Sequence, residues 1–316
     1  MGRLSMPAAP ASDNQPQDAQ PATRLTAAEI YAAAVRIGED ELKRSSTGLA
    51  LSGLAAGLGM GLTALGSAAI LADTGQGVAH HLLTTLLYPL GFIVVIVGRA
   101  QLFTENTLFP VILVLDRRRH LRNTLRLWAV VFTANVVGAL LFAVLMIKAG
   151  AVSADVAGAL SRLGSQTVQG GFGHLFWAGV AGGWIIALMA WLVTASRFTI
   201  GQIALVYLMT FVVGAAGLVH CIAGSAEALS AVLTGQVAVG TYLLWLLAAT
   251  LGNTVGGVII VSLLNYGQVV GSGRDLQHAQ RPLADIEADA SGNSTTARIR
   301  QRRKRRSGDP GRPAIR

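Results

Sequence analysis

The chain has 316 residues, of which 52% are hydrophobic and only 13% charged, with a formal net charge of +9. Soluble domains carry about 25% charged residues, so the composition excludes an ordinary soluble globular protein. The Lys and Arg surplus gathers at the chain ends and in one internal loop, where cytoplasmic segments of membrane proteins carry it, and this argues against a nucleic-acid surface.

Residues 1–23, rich in Ala, Pro, Gln and Asp, lack the continuous apolar core of a signal peptide and read as a disordered tail. Thr26 and Glu29 form a capping box that opens a helix, giving an element over 24–44. Ile30, Ala33, Ala34, Ile37 and Leu42 form its apolar stripe, and Arg36, Glu39, Asp40 and Glu41 lie largely off it. The pattern fits an amphipathic cytoplasmic helix lying under the membrane or against a neighbouring subunit, and equally a soluble helical lead-in. A six-helix membrane domain over 45–268 follows, then a basic, disordered cytoplasmic tail over 269–316.

Leu49 to Leu71 is long enough for the ~20 residues a bilayer needs. After a short turn at Asp73 to Gly77, His80 and His81 have no carboxylate or cysteine at ligand spacing, so no metal is expected there. Residues 79–115 are one apolar run that as a straight helix would be about 55 Å long. The hydrocarbon core is about 30 Å thick, and the polar cluster Arg99, Gln101, Thr104, Glu105 and Asn106 is the natural break. Beyond the basic loop Asp116 to Arg122, spans are expected at Trp128 to Ile147 and Phe172 to Val193, joined by a loop from Lys148 to Gly171. Arg197 marks the next inner turn. A second overlong run, 199–235, breaks around Gly214 to Gly224, and the last span covers Tyr242 to Leu264. The tail with Arg302 to Arg306 reads as solvated and orientation-setting, and its charge also suits anionic lipid. Lys43, Arg44, the 117–122 cluster, Arg197 and the C-terminal arginines fall on one side of this six-span arrangement and Lys148 and Arg162 on the other, so both termini are expected in the cytoplasm.

The halves repeat. Ala134-Asn135-Val-Val-Gly138-Ala139 corresponds to Gly252-Asn253-Thr-Val-Gly256-Gly257, and the same shift lays Leu102 to Asn106 over His220 to Gly224. Three spans per half make the second half inverted relative to the first. Inverted repeats with paired broken helices point to a transport pathway at their interface. The expected fold is therefore all-α, six transmembrane helices in two inverted three-helix repeats, with helices 2 and 5 broken. His220 lies in the second break, and an ionisable residue at membrane depth is a functional candidate by default. It is expected to face a narrow, mostly apolar pore. The adjacent Cys221, the one cysteine, excludes a disulfide and a cysteine-cluster metal site and reads as a buried thiol.

Residues 25–268 resemble the formate/nitrite transporter family through Gly38-Glu-Asp-Glu-Leu-Lys43, Leu102-Phe103-Thr104-Glu105-Asn106, Gly217-Leu-Val-His220 and Asn253. The resemblance implies a homopentamer with one aquaporin-like pore per protomer, in a bacterial inner membrane, for small monovalent anions such as formate and nitrite. It carries over Phe103 with Leu102 and Thr104 as the loop of the inner constriction. Tyr88 and Phe92 fall at inner-half positions, Val213 at the outer constriction, His220 at the centre, and Asn253 as its polar partner. Two departures mark a divergent subgroup: the family's vestibule lysine falls near Thr167, with no Lys or Arg between Gly164 and Trp184, and a span-four asparagine is replaced by Gly183.

A bare anion in an apolar constriction costs many kcal/mol, and its conjugate acid far less. A histidine can hold or give a proton near neutrality. The expectation is protonation or charge compensation at His220, with Thr104 and Asn253 as neutral hydrogen-bonding groups. Arg99 either pairs with Glu105 and pins the loop or replaces the absent lysine; pairing is the usual fate of intramembrane charges. Asn135 is expected to support the first break, as Asn106 would locally. No nucleophile–base pair, phosphate loop or metal-ligand cluster argues for an enzyme or a cofactor. A pore for neutral solutes such as water or ammonia, and a non-transporting sensor or scaffold using the basic tail, are the competing readings.

Overall fold

The computed structural model of the chain describes residues 25–74, 78–117 and 120–271. The tail at 1–23, the tail beyond 271 and the side chains of His80 and His81 lie outside the described residues. In α1 (Ala27–Lys43), Thr26 Oγ1 accepts from the Glu29 amide at 3.3 Å and the Glu29 carboxylate accepts from the Thr26 amide at 2.7 Å. The far end is held by Arg126, whose Nη2 donates to the Leu42 and Arg44 carbonyls at 3.0 and 3.1 Å, as a cation should at a helix C-terminus. The apolar face of α1 is used inside its own chain: Tyr31 and Ala34 cluster with Leu108, Phe109, Ile112, Ala190 and Trp191.

Four described helical segments are long and apolar enough to cross a membrane: Ser46–Thr74 (α2), Leu121–Lys148, Phe172–Ala195 (α8) and Val239–Gln268. The second begins as α6 (Leu121–Ala143) and the fourth as α11 (Val239–Val255), each continuing as a π-helical stretch, Val144–Lys148 and Gly256–Leu263; α12 (Leu264–Gly271) follows the latter. Neither overlong run is a single helix. The first is α3 (Val78–Thr85), α4 (Pro89–Val97), a 3₁₀ turn at Glu105–Thr107 and α5 (Phe109–Arg117). The second is α9 (Thr199–Ala215) and α10 (Ala223–Leu233). The interruption between α3 and α4 was not expected; Pro89 lacks an N–H and opens α4, where none is needed. The expected loop Lys148 to Gly171 also needs correcting, because α7 (Ala154–Thr167) occupies it, with Ser153 Oγ accepting from the Val156 amide at 3.4 Å.

Small residues bring α2 against α6 and α8 against α11. A Cβ at Gly57 would overlap the Asn135 carbonyl, and one at Gly183 the Asn253 carbonyl. There is thus no room for an asparagine side chain at position 183. Leu51, Trp177, Ile200, Leu208, Leu244 and Leu247 remain exposed, an apolar exterior suited to lipid or to neighbouring subunits.

Glu41 ties α1 to the first loop: its Oε1 accepts from Gln101 Nε2 at 3.1 Å, and Gln101 Oε1 accepts from Asn106 Nδ2 at 3.0 Å. Burial pushes the Glu41 carboxyl up to about 7 from 4.5. Between those values the docked state binds a proton that the undocked state has released. The stability this gives is complete below 4.5 and is lost as pH rises through about 7. Amide exchange in α1, corrected for intrinsic rates, is therefore expected to be faster at about pH 8 than at about pH 6, and Glu41→Gln should flatten the difference. An unchanged pH dependence in the variant would contradict this.

Candidate functional site

The two helix interruptions free backbone groups in an apolar interior, where each unsatisfied group costs several kcal/mol. One asparagine meets the need at each. Asn135 of α6 accepts from the Phe103 amide at 2.9 Å and donates to the carbonyls of Gln101 and Gly53 at 2.9 and 2.8 Å. Asn253 of α11 accepts from the Cys221 amide at 2.9 Å and donates to the carbonyls of Val219 and Gly179, both at 2.8 Å. Each side chain thereby uses both amide hydrogens. Asn253 does not bond His220 directly and has no hydrogen left for a solute; it holds the backbone on either side of the histidine. The backbone turns through left-handed conformations in both loops, at Arg99 (φ 57°) and Gly217 (φ 61°).

His220 is 2% exposed. Its Nδ1 accepts from the Ala223 amide at 3.0 Å, and Nε2 lies 2.8 Å from Thr104 Oγ1. An amide N–H can only donate, so Nδ1 carries no hydrogen in this geometry and the neutral ring is the Nε2–H tautomer. Nε2–H then donates to Thr104, whose own O–H remains available as a donor. Protonating Nδ1 would break the bond to Ala223. Phe92 meets the imidazole edge-on at a centroid distance of 5.0 Å.

Two cavities approach this bond from opposite ends of the helices. The one remote from α1, about 310 Å³, is walled by Tyr88, Thr167, His174, His220, Glu227 and Trp245 among others. The one beside α1, about 700 Å³, is walled by Arg36, Glu41, Arg99, Gln101, Glu105 and Gln202 among others. Thr104 lies between them: its hydroxyl reaches His220, on the wall of the first, and its chain neighbour Glu105 lines the second.

Of the other expected residues, Leu102 and Val213 are fully buried. Phe103 packs edge-on against Phe132 and Trp128 at 5.1 and 5.8 Å. Asn106 donates to Gln101, and its carbonyl accepts from Trp128 Nε1 at 2.9 Å. The Arg99–Glu105 ion pair, one of the two readings for these residues, does not form within 4.0 Å. Arg99 has a left-handed backbone and is exposed on the wall of the cavity that Glu105 also lines, and the two charges interact across it without a close ion pair. Residues that sequence reasoning passed over also line the walls. Glu227 follows His220 by two helical turns, a spacing that would have placed both on one face of a continuous helix.

The formate/nitrite transporter family model matches residues 28–267. The chain belongs to this family. Formate/nitrite transporters are channels and transporters, so this is a membrane transport protein and not an enzyme. It is 29% identical over 259 residues to the inner membrane protein YfdC of Escherichia coli (strain K12), covering 81% of this chain and 82% of that one. It is 28% identical over 195 residues to a probable formate transporter of Methanothermobacter thermautotrophicus, covering 56% of this chain and 71% of that one. Two solved structures share its fold. An ion channel of the family aligns with a TM-score of 0.65 at 19% identity, covering 77% of this chain and 96% of the other. A pentameric formate channel with formate bound aligns with a TM-score of 0.62 at 18% identity, covering 72% of this chain and 99% of the other.

Proposed function

We propose that this member of the formate/nitrite transporter family is a homopentamer in the inner membrane with both termini cytoplasmic. Each protomer has six spans, arranged as two inverted, aquaporin-like three-helix repeats with helices 2 and 5 broken. Each passes small monovalent anions of the formate and nitrite kind through the Thr104–His220 junction as their conjugate acids. The observation that carries the reading is the bond between these two side chains, with His220 on the wall of one cavity and Thr104 next in the chain to Glu105 on the wall of the other. Buried apolar groups beside it, Phe92, Leu102 and Phe103, keep the junction dry. A bare anion there is costly, whereas an acid needs only a hydrogen-bonding partner on each side. The Thr104 hydroxyl supplies one, and His220 acts as a neutral ring that orients it. Asn135 and Asn253 hold the two loops, and Val213, at the end of α9, narrows the far side. The pentamer of the solved formate channel and the apolar exterior of this chain support the assembly.

The test is flux into liposomes holding the purified protein, with formate, nitrite and water followed at about pH 5.5 and about pH 7.5. Formate or nitrite should enter faster at the lower pH, with water permeability unchanged. Water flux with no movement of either anion at either pH would overturn the reading.

A further inference from the structure

The cavity remote from α1 holds chemistry that the Thr104–His220 junction does not use. Glu227 of α10 lines it and is 8% exposed. Its Oε2 accepts from Thr167 Oγ1, on the last turn of α7. The helices meet closely there, since a Cβ at Gly164 would overlap the Glu227 carbonyl. Trp245 of α11 lines the same cavity and is 1% exposed, and its indole N–H has no hydrogen-bond partner among the described residues. Among the described residues the cavity wall includes no lysine or arginine. Among the described residues its titratable groups are Tyr88, His174, His220 and Glu227. On neighbouring elements, Cys221 and Tyr242 are buried around Ser225, to which the Tyr242 hydroxyl donates at 3.1 Å, and Lys148, Arg162 and Asp73 are exposed and off the wall.

An ionised carboxylate in a cation-free cavity repels anions. A carboxyl that keeps its proton does not, and it can hand that proton over. We infer that Glu227, positioned by Thr167, is a proton-exchange site that converts a small monovalent oxyanion into its acid before the acid meets the Thr104–His220 junction, with the Trp245 N–H holding the anion during the exchange. This rests on the function proposed above. The Glu227 O–H bond breaks and an O–H bond forms on the anion. The neutral acid moves on, and the negative charge stays on Glu227. A hydronium ion from the adjoining aqueous phase then returns the proton, so one proton travels with each anion. Solute moving the other way reverses the step.

The experiment uses the full chain in liposomes, with formate as the probe, a pH dye inside, and pentamer content checked by size-exclusion chromatography. Glu227→Gln keeps an acceptor for Thr167 but cannot exchange a proton. It should slow formate-linked proton entry at least about tenfold at about pH 7 and flatten its pH profile. Glu227→Asp should restore part of the rate with a displaced profile, a result that a merely structural role would not give. An assembled Glu227→Gln pentamer with the wild-type rate and profile would overturn the inference while leaving the proposed function standing. If Glu227→Gln does not assemble, a wild-type profile in Glu227→Asp would overturn it equally. Absence of formate flux in the wild type would remove both readings together.

Discussion

Replacing Asn253 with leucine is expected to destroy the assembled protein rather than merely slow it. The side chain satisfies three backbone groups that have no water to turn to. Leucine has similar bulk and no polar atom, so the Cys221 amide and the carbonyls of Val219 and Gly179 would all lose a partner. At about 1–3 kcal/mol for each orphaned group, the loss is at least about 3 kcal/mol, a large part of a total stability of roughly 5–15 kcal/mol. Asn135→Leu removes the equivalent three bonds at the other loop and should cost as much. Thermal melting in detergent, followed by the pentamer fraction, measures both. A melting temperature within about 2 °C of wild type for either variant would contradict the role assigned to these residues.

Thr104→Val is expected to leave the fold standing and to slow formate flux by about tenfold to a hundredfold. Valine matches threonine in shape, so packing around the loop changes little. What is lost is the acceptor of the His220 Nε2–H and the O–H that faces a passing solute. Losing the solute's hydrogen-bonding partner at the junction adds about 1–3 kcal/mol to the crossing barrier, and each 1.4 kcal/mol added is about tenfold in rate. His220→Asn should give a loss of similar size, because it removes the ring that fixes the threonine hydroxyl. Pentamer content should be unaffected by Thr104→Val, which separates this effect from that of the asparagine variants.

Much of this arrangement is legible in the chain. A 37-residue apolar run overruns a 30 Å layer and must tilt, protrude or break, polar Arg99 to Asn106 is the natural break, and α4 ends just before it at Val97. Asn135 and Asn253 could be picked out from the matching words around them, Asn135 as support for the first break and Asn253 as support for His220. That the bonds run to the backbone and not to His220 could not be read, because it depends on how closely α8 approaches α11 at Gly183. Helix α7 escaped because its segment is polar, although Ser153 and Asp155 are fitting first-turn residues. Glu227 escaped for a related reason: a lone acid in an apolar helix has no motif, and its meaning comes from Thr167 and Trp245, which only the packing of α7 and α11 brings to the same wall. Whether Arg99 pairs with Glu105 or stands in for the absent lysine could not be read, because it depends on the path of the loop backbone, which is left-handed at Arg99.

The most direct test of the central claim is formate flux through Thr104→Val, His220→Asn and the double variant in liposomes at one pH. If solute crosses where these two side chains meet, each single variant is slower by about tenfold or more, and the double is no slower than the worse single, because both changes break one bond. Wild-type flux in either single variant, or losses that multiply in the double, would contradict it.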